Sequence, residues 1–128
     1  MADALEFLVE EIPDADSVFM RAHKVHFRDG ALTPGVFKAQ DGSMSVDWDK
    51  YSTQEETKQR AKRPDENAVI SLIVGAVRKI DDLDVKHTPE ANNRAHSEVD
   101  LPNSREELNK VRLLLYRVAQ IVIPLSPA

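Results

Sequence analysis

Four histidines, His23, His26, His87 and His96, stand in a 128-residue chain that contains no cysteine. Imidazole changes charge near neutral pH, so each is a candidate acid, base or metal ligand. The set with the clearest chemical meaning is Arg21, His23, Ser45 and the run Asn93-Arg94-Ala95-His96-Ser97-Glu98. If 18–23 and 95–101 are strands, a period of two puts Arg21 and His23 on one face, and likewise His96 and Glu98. A cleft between such strands would hold a phosphate or carboxylate against arginine, with histidine as general acid or base. The candidate catalytic residues are therefore Arg21, His23, Ser45 and His96, with Glu98 as a possible carboxylate. The same residues also have a structural role open to them: Arg21 pairing with an acidic neighbour, and Asn92-Asn93 making a loop that places His96.

Other chemistry is weaker. His23-x-x-His26 supplies two imidazoles, but on an undistorted strand they face opposite ways. A metal would need a bulge there and a third ligand from His87, His96 or Asp29. No metal or other cofactor is expected. Asp14-x-Asp16 and Asp81-Asp82-x-Asp84 lack the glycine and terminal glutamate of a calcium loop. There is no glycine-rich phosphate loop and no G-x-S-x-G elbow. Arg21-x-x-x-x-His26 has a spacing used by helical ribonucleases, but here it falls in a strand-like segment. Trp48 and Tyr51 suit a recognition patch or the edge of a core. Lys58, Arg60, Lys62 and Arg63 suit contact with a phosphate or, beside their acidic neighbours, a solvated face.

The elements that must position these residues follow from patterning. Val18, Met20 and Ala22 alternate with Phe19, Arg21 and His23, which predicts a strand over 18–23. The phase flips after His23, which predicts a bulge or break at 23–24. Asp29-Gly30 and Pro34-Gly35 make 29–43 a looping connection, and Met44–Trp48 a short strand. Ser52 with Glu55 has capping-box spacing and opens a helix over 53–63, stopped by Pro64. The apolar run 68–77 reads as a strand covered on both faces, with a buried helix as the alternative. Val85–Thr88 and Ala95–Leu101 are shorter strands, and 78–83 a helical turn or charged loop. Ser104 with Glu107 opens a helix over 105–123 whose apolar positions spread over roughly 220°, wider than the ~100° stripe of a surface helix. Such a helix is covered on more than one side, and Leu113, near Arg117 on its polar side, is the expected contact with a partner. Residues 1–12 form an N-terminal helix ended by Pro13, or an irregular arm.

Composition sets the frame. Lys+Arg 17 against Asp+Glu 22 gives a net charge of −5, against a dedicated nucleic-acid binder. Apolar residues at 41% suit a globular domain rather than a disordered chain. No apolar stretch approaches the ~20 residues needed to span a bilayer, and the acidic start is unlike a secretory signal. The expectation is a single cytoplasmic domain over 1–128, with no membrane and no nucleic acid as partner. The expected fold is α+β: a small, mostly antiparallel sheet with its central strand near 68–77, packed by helices near 53–63 and 105–123.

Two resemblances bear on function. Arg21-Ala-His23, Asp29-Gly30-Ala-Leu32-x-Pro34-x-x-Phe37, Met44-Ser45-Val46 and Arg94-Ala-His96 occur in that order. In this the chain resembles a widespread group of short prokaryotic hypothetical proteins, over about residues 12 to 102. That likeness implies no activity. In residue types and order alone, arginine, serine and glutamate from successive strands resemble small NAD-cleaving toxins with an ADP-ribosyltransferase-like fold. Two functions are therefore expected. One is a non-catalytic interaction or regulatory protein that binds a protein partner, or a second copy of itself, through Leu113 and Arg117. The other is a small nucleotide- or NAD-handling enzyme or toxin built on Arg21, His23, Ser45 and His96.

Overall fold

The computed structural model describes residues 7–81 and 83–126. The fold is α+β, a six-stranded antiparallel sheet packed by helices. In chain order the strands are β1 (Ser17–His23), β2 (Phe27–Arg28), β3 (Ala31–Leu32), β4 (Ser43–Trp48), β5 (Asn67–Ile73), β6 (Val85–His87), β7 (His96–Asp100) and β8 (Gln120–Ile123). The helices are α1 (Gln54–Gln59), α2 (Val74–Arg78) and α3 (Arg105–Val118). The main sheet runs β6-β7-β4-β1-β5-β8, and β2 and β3 form a separate hairpin.

The alternation in β1 is realised as read. Val18, Met20 and Ala22 join the main core with Val46 and Trp48 of β4, Ile70 and Leu72 of β5, and Val111 and Leu115 of α3. The opposite face carries Phe19, Arg21 and His23, aligned with Ser71, Val69 and Asn67 across β5. Across β4 and β7 the same face continues with Asp47 opposite His96 and Ser45 opposite Glu98. Directly opposed residues project to the same side of a sheet, so one face is apolar and the other carries these polar residues beside the buried Phe19 and Val69. The phase flip after His23 is taken up by a 3-10 turn at Lys24–His26 rather than by a bulge within the strand. Asp29 and Gly30 both have positive φ, as a two-residue hairpin turn requires, which turns the start of the expected loop into the β2-β3 hairpin.

Three expected boundaries move. The first helix starts one residue later and is shorter: Thr53, not Ser52, is its cap, with Thr53 Oγ1 accepting from Glu56 N–H and Glu56 accepting from Thr53 N–H. Ser52 instead turns inward, 4% exposed, to bond Thr57. The apolar run from residue 68 is strand only to Ile73. At Val74 it becomes α2, anchored where Val74 and Gly75 donate to the carbonyls of Asp16 and Asp14. A Cβ on Gly75 would lie 3.0 Å from both the Cβ and the carbonyl oxygen of Asp14, so a larger residue there would have to push Asp14 back by a few tenths of an ångström. The last helix stops at Val118; Ala119 adopts extended φ/ψ and the chain runs back as edge strand β8 along β5. This also removes the wide apolar arc, because Ile121, Val122 and Ile123 belong to a strand.

Residues 7–13 are an irregular arm rather than a helix, and the earlier part of the expected segment lies outside the described residues. Ile12 is buried in the core while Leu8 and Val9 are exposed. No helix among the described residues is long and apolar enough to cross a membrane.

Candidate functional site

The two middle strands of the sheet share its shortest ladder. β1 and β5 align over seven residue pairs from Ser17↔Ile73 to His23↔Asn67, whereas β1 and β4 pair only at Val18↔Trp48 and Phe19↔Asp47. Beyond Phe19 the strands separate, dividing the sheet into the halves β6-β7-β4 and β1-β5-β8. The fork opens into a cavity of about 1000 Å³, lined by both strands, by the β3-β4 connection and by the loop before β7. Arg21, His23, Ser45 and His96 all line it, together with His26. The structure thus brings the four expected residues to one hollow; Glu98, on the same face of β7, does not line it.

Its floor is a polar cluster around Asp47, 5% exposed. One carboxylate oxygen accepts from Thr57 Oγ1 at 2.8 Å and from Arg60 Nη1 at 2.9 Å, the other from Asn93 Nδ2 at 2.9 Å. Arg60 also donates to Ser52 Oγ at 2.8 Å. Both oxygens being paired, the burial of this charge is compensated. Asp47 thereby ties β4 to α1 and to the loop that carries His96. Asn93 holds that loop further, its side-chain oxygen accepting from Ala95 N–H. Arg21 lies across α1, donating to the Thr57 carbonyl at 3.2 Å. Among the described residues neither Arg21 nor Lys38 of the cavity wall forms an ion pair. Among the described residues, then, Arg21 and Lys38 of the lining have no carboxylate partner, and Glu90 is the lining acid not held in the Asp47 cluster.

The histidines differ in what they have left to offer. His96 Nδ1 sits 2.9 Å from the Thr88 carbonyl, which only accepts, so the proton belongs on Nδ1. Nε2 is then an acceptor, and Ser45 Oγ lies 3.3 Å from it, with a Glu90 carboxylate oxygen at 3.8 Å. His23 is committed at both nitrogens: Nδ1 accepts from Val25 N–H, capping the 3-10 turn, and Nε2–H donates to Glu66 at 3.1 Å. That bond, with Lys24 and Arg63 behind it, holds the Glu66 carboxyl below its ordinary value. His26 is pushed below the usual histidine value by burial first, then by Lys38 and His23, so its neutral form is favoured. His87 lies elsewhere, 2% exposed between Trp48 and Tyr51, accepting from Glu10 N–H and donating to the Arg94 carbonyl. Trp48 and Tyr51 thus close a core edge and lie outside the cavity wall. Among the described residues no three His, Asp or Glu side chains gather as a metal site.

Sequence reasoning missed Asp47, Thr57 and Lys38, and it read Arg60 as part of a solvated face, whereas its guanidinium turns in to the buried Asp47 and to Ser52. A usable signal existed for Asp47: an aspartate on the Ser45 face of a short strand, where the type is disfavoured unless it has partners. Lys38 had none, since its place depends on how the β3-β4 connection crosses the fork.

On α3, whose Val111 and Leu115 pack into the core, Leu113 is 56% exposed, with Tyr116 and Arg117 exposed at helical spacing beside it. Compared with family models, curated proteins and solved structures, the chain matches none.

Proposed function

We propose that the fork binds a small phosphate-bearing molecule of the nucleotide class, NAD included, and that the chain acts on it with His96 as acid or base. The observation that supports this reading most is the convergence of Arg21, Ser45 and His96 on one open hollow between separated strands. Its volume is at the upper end of the ~300–1,000 Å³ of small-molecule sites. Arg21 and Lys38 supply cationic donors for phosphate oxygens. Where the β1-β4 ladder stops, backbone groups face the hollow without a partner strand and can hydrogen-bond a base or an amide. His96 presents an unprotonated nitrogen with its other nitrogen fixed, the arrangement of an oriented general base.

The test is thermal unfolding with NAD, ATP, AMP and inorganic phosphate, on the natural chain and on Arg21→Ala and His96→Ala. A true ligand at a hundredfold excess over its dissociation constant stabilises by about 2.7 kcal/mol. The expected result is a rise in Tm with at least one nucleotide, reduced in Arg21→Ala. No response to any of them contradicts the proposal.

A second reading, a protein-binding role, draws on the exposed Leu113, Tyr116 and Arg117 stripe on α3. It assigns no chemistry to the fork.

A further inference from the structure

Ser45 has an unusual place for a strand serine. It is exposed on the floor of a cavity, and its Oγ lies 3.3 Å from His96 Nε2, the ring nitrogen left as an acceptor by the bond from Nδ1 to the Thr88 carbonyl. His96 is held for this from behind, since Nδ1 is fixed by both the carbonyl and the hydroxyl of Thr88, at 2.9 and 3.0 Å. The imidazole is mostly buried, with a side-chain exposure of 13%, so its orientation is defined. A hydroxyl, an oriented base and a group that fixes the base make up an activated nucleophile.

We propose that Ser45 is a nucleophile for phosphoryl transfer, with His96 as its base and the phosphoester group seated against Arg21 and Lys38. This rests on the phosphate-binding reading of the fork and adds the reaction to it. Ser45 Oγ attacks phosphorus, and the Oγ–P bond forms as the bond from phosphorus to the leaving oxygen breaks. The Oγ proton passes to His96 Nε2 and from there to the leaving oxygen. Water then attacks the phosphoserine. His96 takes a proton from that water and returns it to Oγ as the phosphate departs, leaving serine and imidazole as they began. Glu90, 3.8 Å from Nε2, faces the imidazolium while it is charged. Arg21 and Lys38 face the negative charge on the phosphoryl oxygens.

A fluorophosphonate probe tests the attack directly, because the same step then expels fluoride and leaves a stable adduct. Intact-mass and peptide mapping of the full chain should show one adduct, on Ser45. Ser45→Ala should show none, and His96→Gln should label at least about a hundredfold more slowly. The Tm of each variant confirms that it folds. No adduct on the folded natural chain, an adduct that persists in Ser45→Ala, or an unchanged rate in His96→Gln overturns the proposal. If nucleotides raise Tm and no labelling occurs, the nucleophile fails and the binding reading stands. If Ser45 is labelled while no nucleotide shifts Tm, the nucleophile stands and the nucleotide reading fails.

Discussion

Asp47 determines the shape of the hollow at the scale of a single residue, because its three partners come from two other segments of chain, α1 with its C-cap Arg60 and the loop before β7. Replacing it with alanine leaves Arg60, Thr57 and Asn93 without their acceptor. With Arg60 30% exposed and able to reach water, the cost falls below that of breaking a fully buried pair, at about 2–3 kcal/mol. A urea unfolding curve for Asp47→Ala should show that loss, and a change under about 0.5 kcal/mol would mean the cluster is not a structural floor. The residues that surround it were only partly legible. Arg21, Ser45 and His96 were singled out by type and strand period, and all three line the cavity. His23 was singled out equally, yet a cap on Val25 and a bond to Glu66 occupy both of its nitrogens. Residue type told where an imidazole was available in the chain; only its partners tell whether it is free.

The arm at residues 7–13 illustrates the next scale, where a segment with little intrinsic preference is held by specific bonds. Glu10 accepts from Lys50 Nζ at 2.6 Å and from the Tyr51 hydroxyl, while its N–H donates to His87. The Lys50 bond first, then Tyr51, hold its carboxyl below the ordinary 4.5. A carboxyl lowered in the docked state favours docking above 4.5, and the contribution disappears as pH falls through the lowered value. Heteronuclear NOEs of residues 7–12 should therefore be high near ~pH 6 and fall below the ordinary carboxylate range, whereas Glu10→Gln should lose order already at ~pH 6. An arm as ordered at ~pH 3 as at ~pH 6 would refute this.

Helix α3 carries the prediction for the alternative function. Leu113 is 56% exposed and lies outside the core cluster, so the stability of Leu113→Asp should stay within about 0.5 kcal/mol of the natural chain. If α3 binds a second copy, light scattering should show a dimer that this substitution dissociates; a monomer before and after removes that partner. The ends of α3 and β5 were the least legible boundaries. Leu, Val and Ile satisfy both periods, so nothing local marks where strand becomes helix at Val74 or helix becomes strand after Val118. Those switches are set by what each run packs against: Asp14 and Asp16 receiving the start of α2, and the free edge of β5 receiving β8.

For the molecule as a whole, the α+β class and an antiparallel sheet were legible because alternation, turn signals and capping spacings are short-range. The fork was not. It exists because β1 and β4 pair over two positions while each is fully paired on its other side, and no local pattern encodes which of two ladders will be cut short. A consequence follows for dynamics: the halves β6-β7-β4 and β1-β5-β8 meet through this short ladder, through Asp47's bonds and through the shared core. A ligand in the fork bridges them, so its effect should appear on both strands at once. Amide NMR spectra of the natural chain titrated with NAD and with ATP measure this directly. The account requires shifts concentrated on residues 19–23 of β1, 44–47 of β4 and 90–96 before and at the start of β7, with α3 undisturbed. Spectra that stay unchanged at millimolar nucleotide, or shifts that gather on α3 instead, would contradict it.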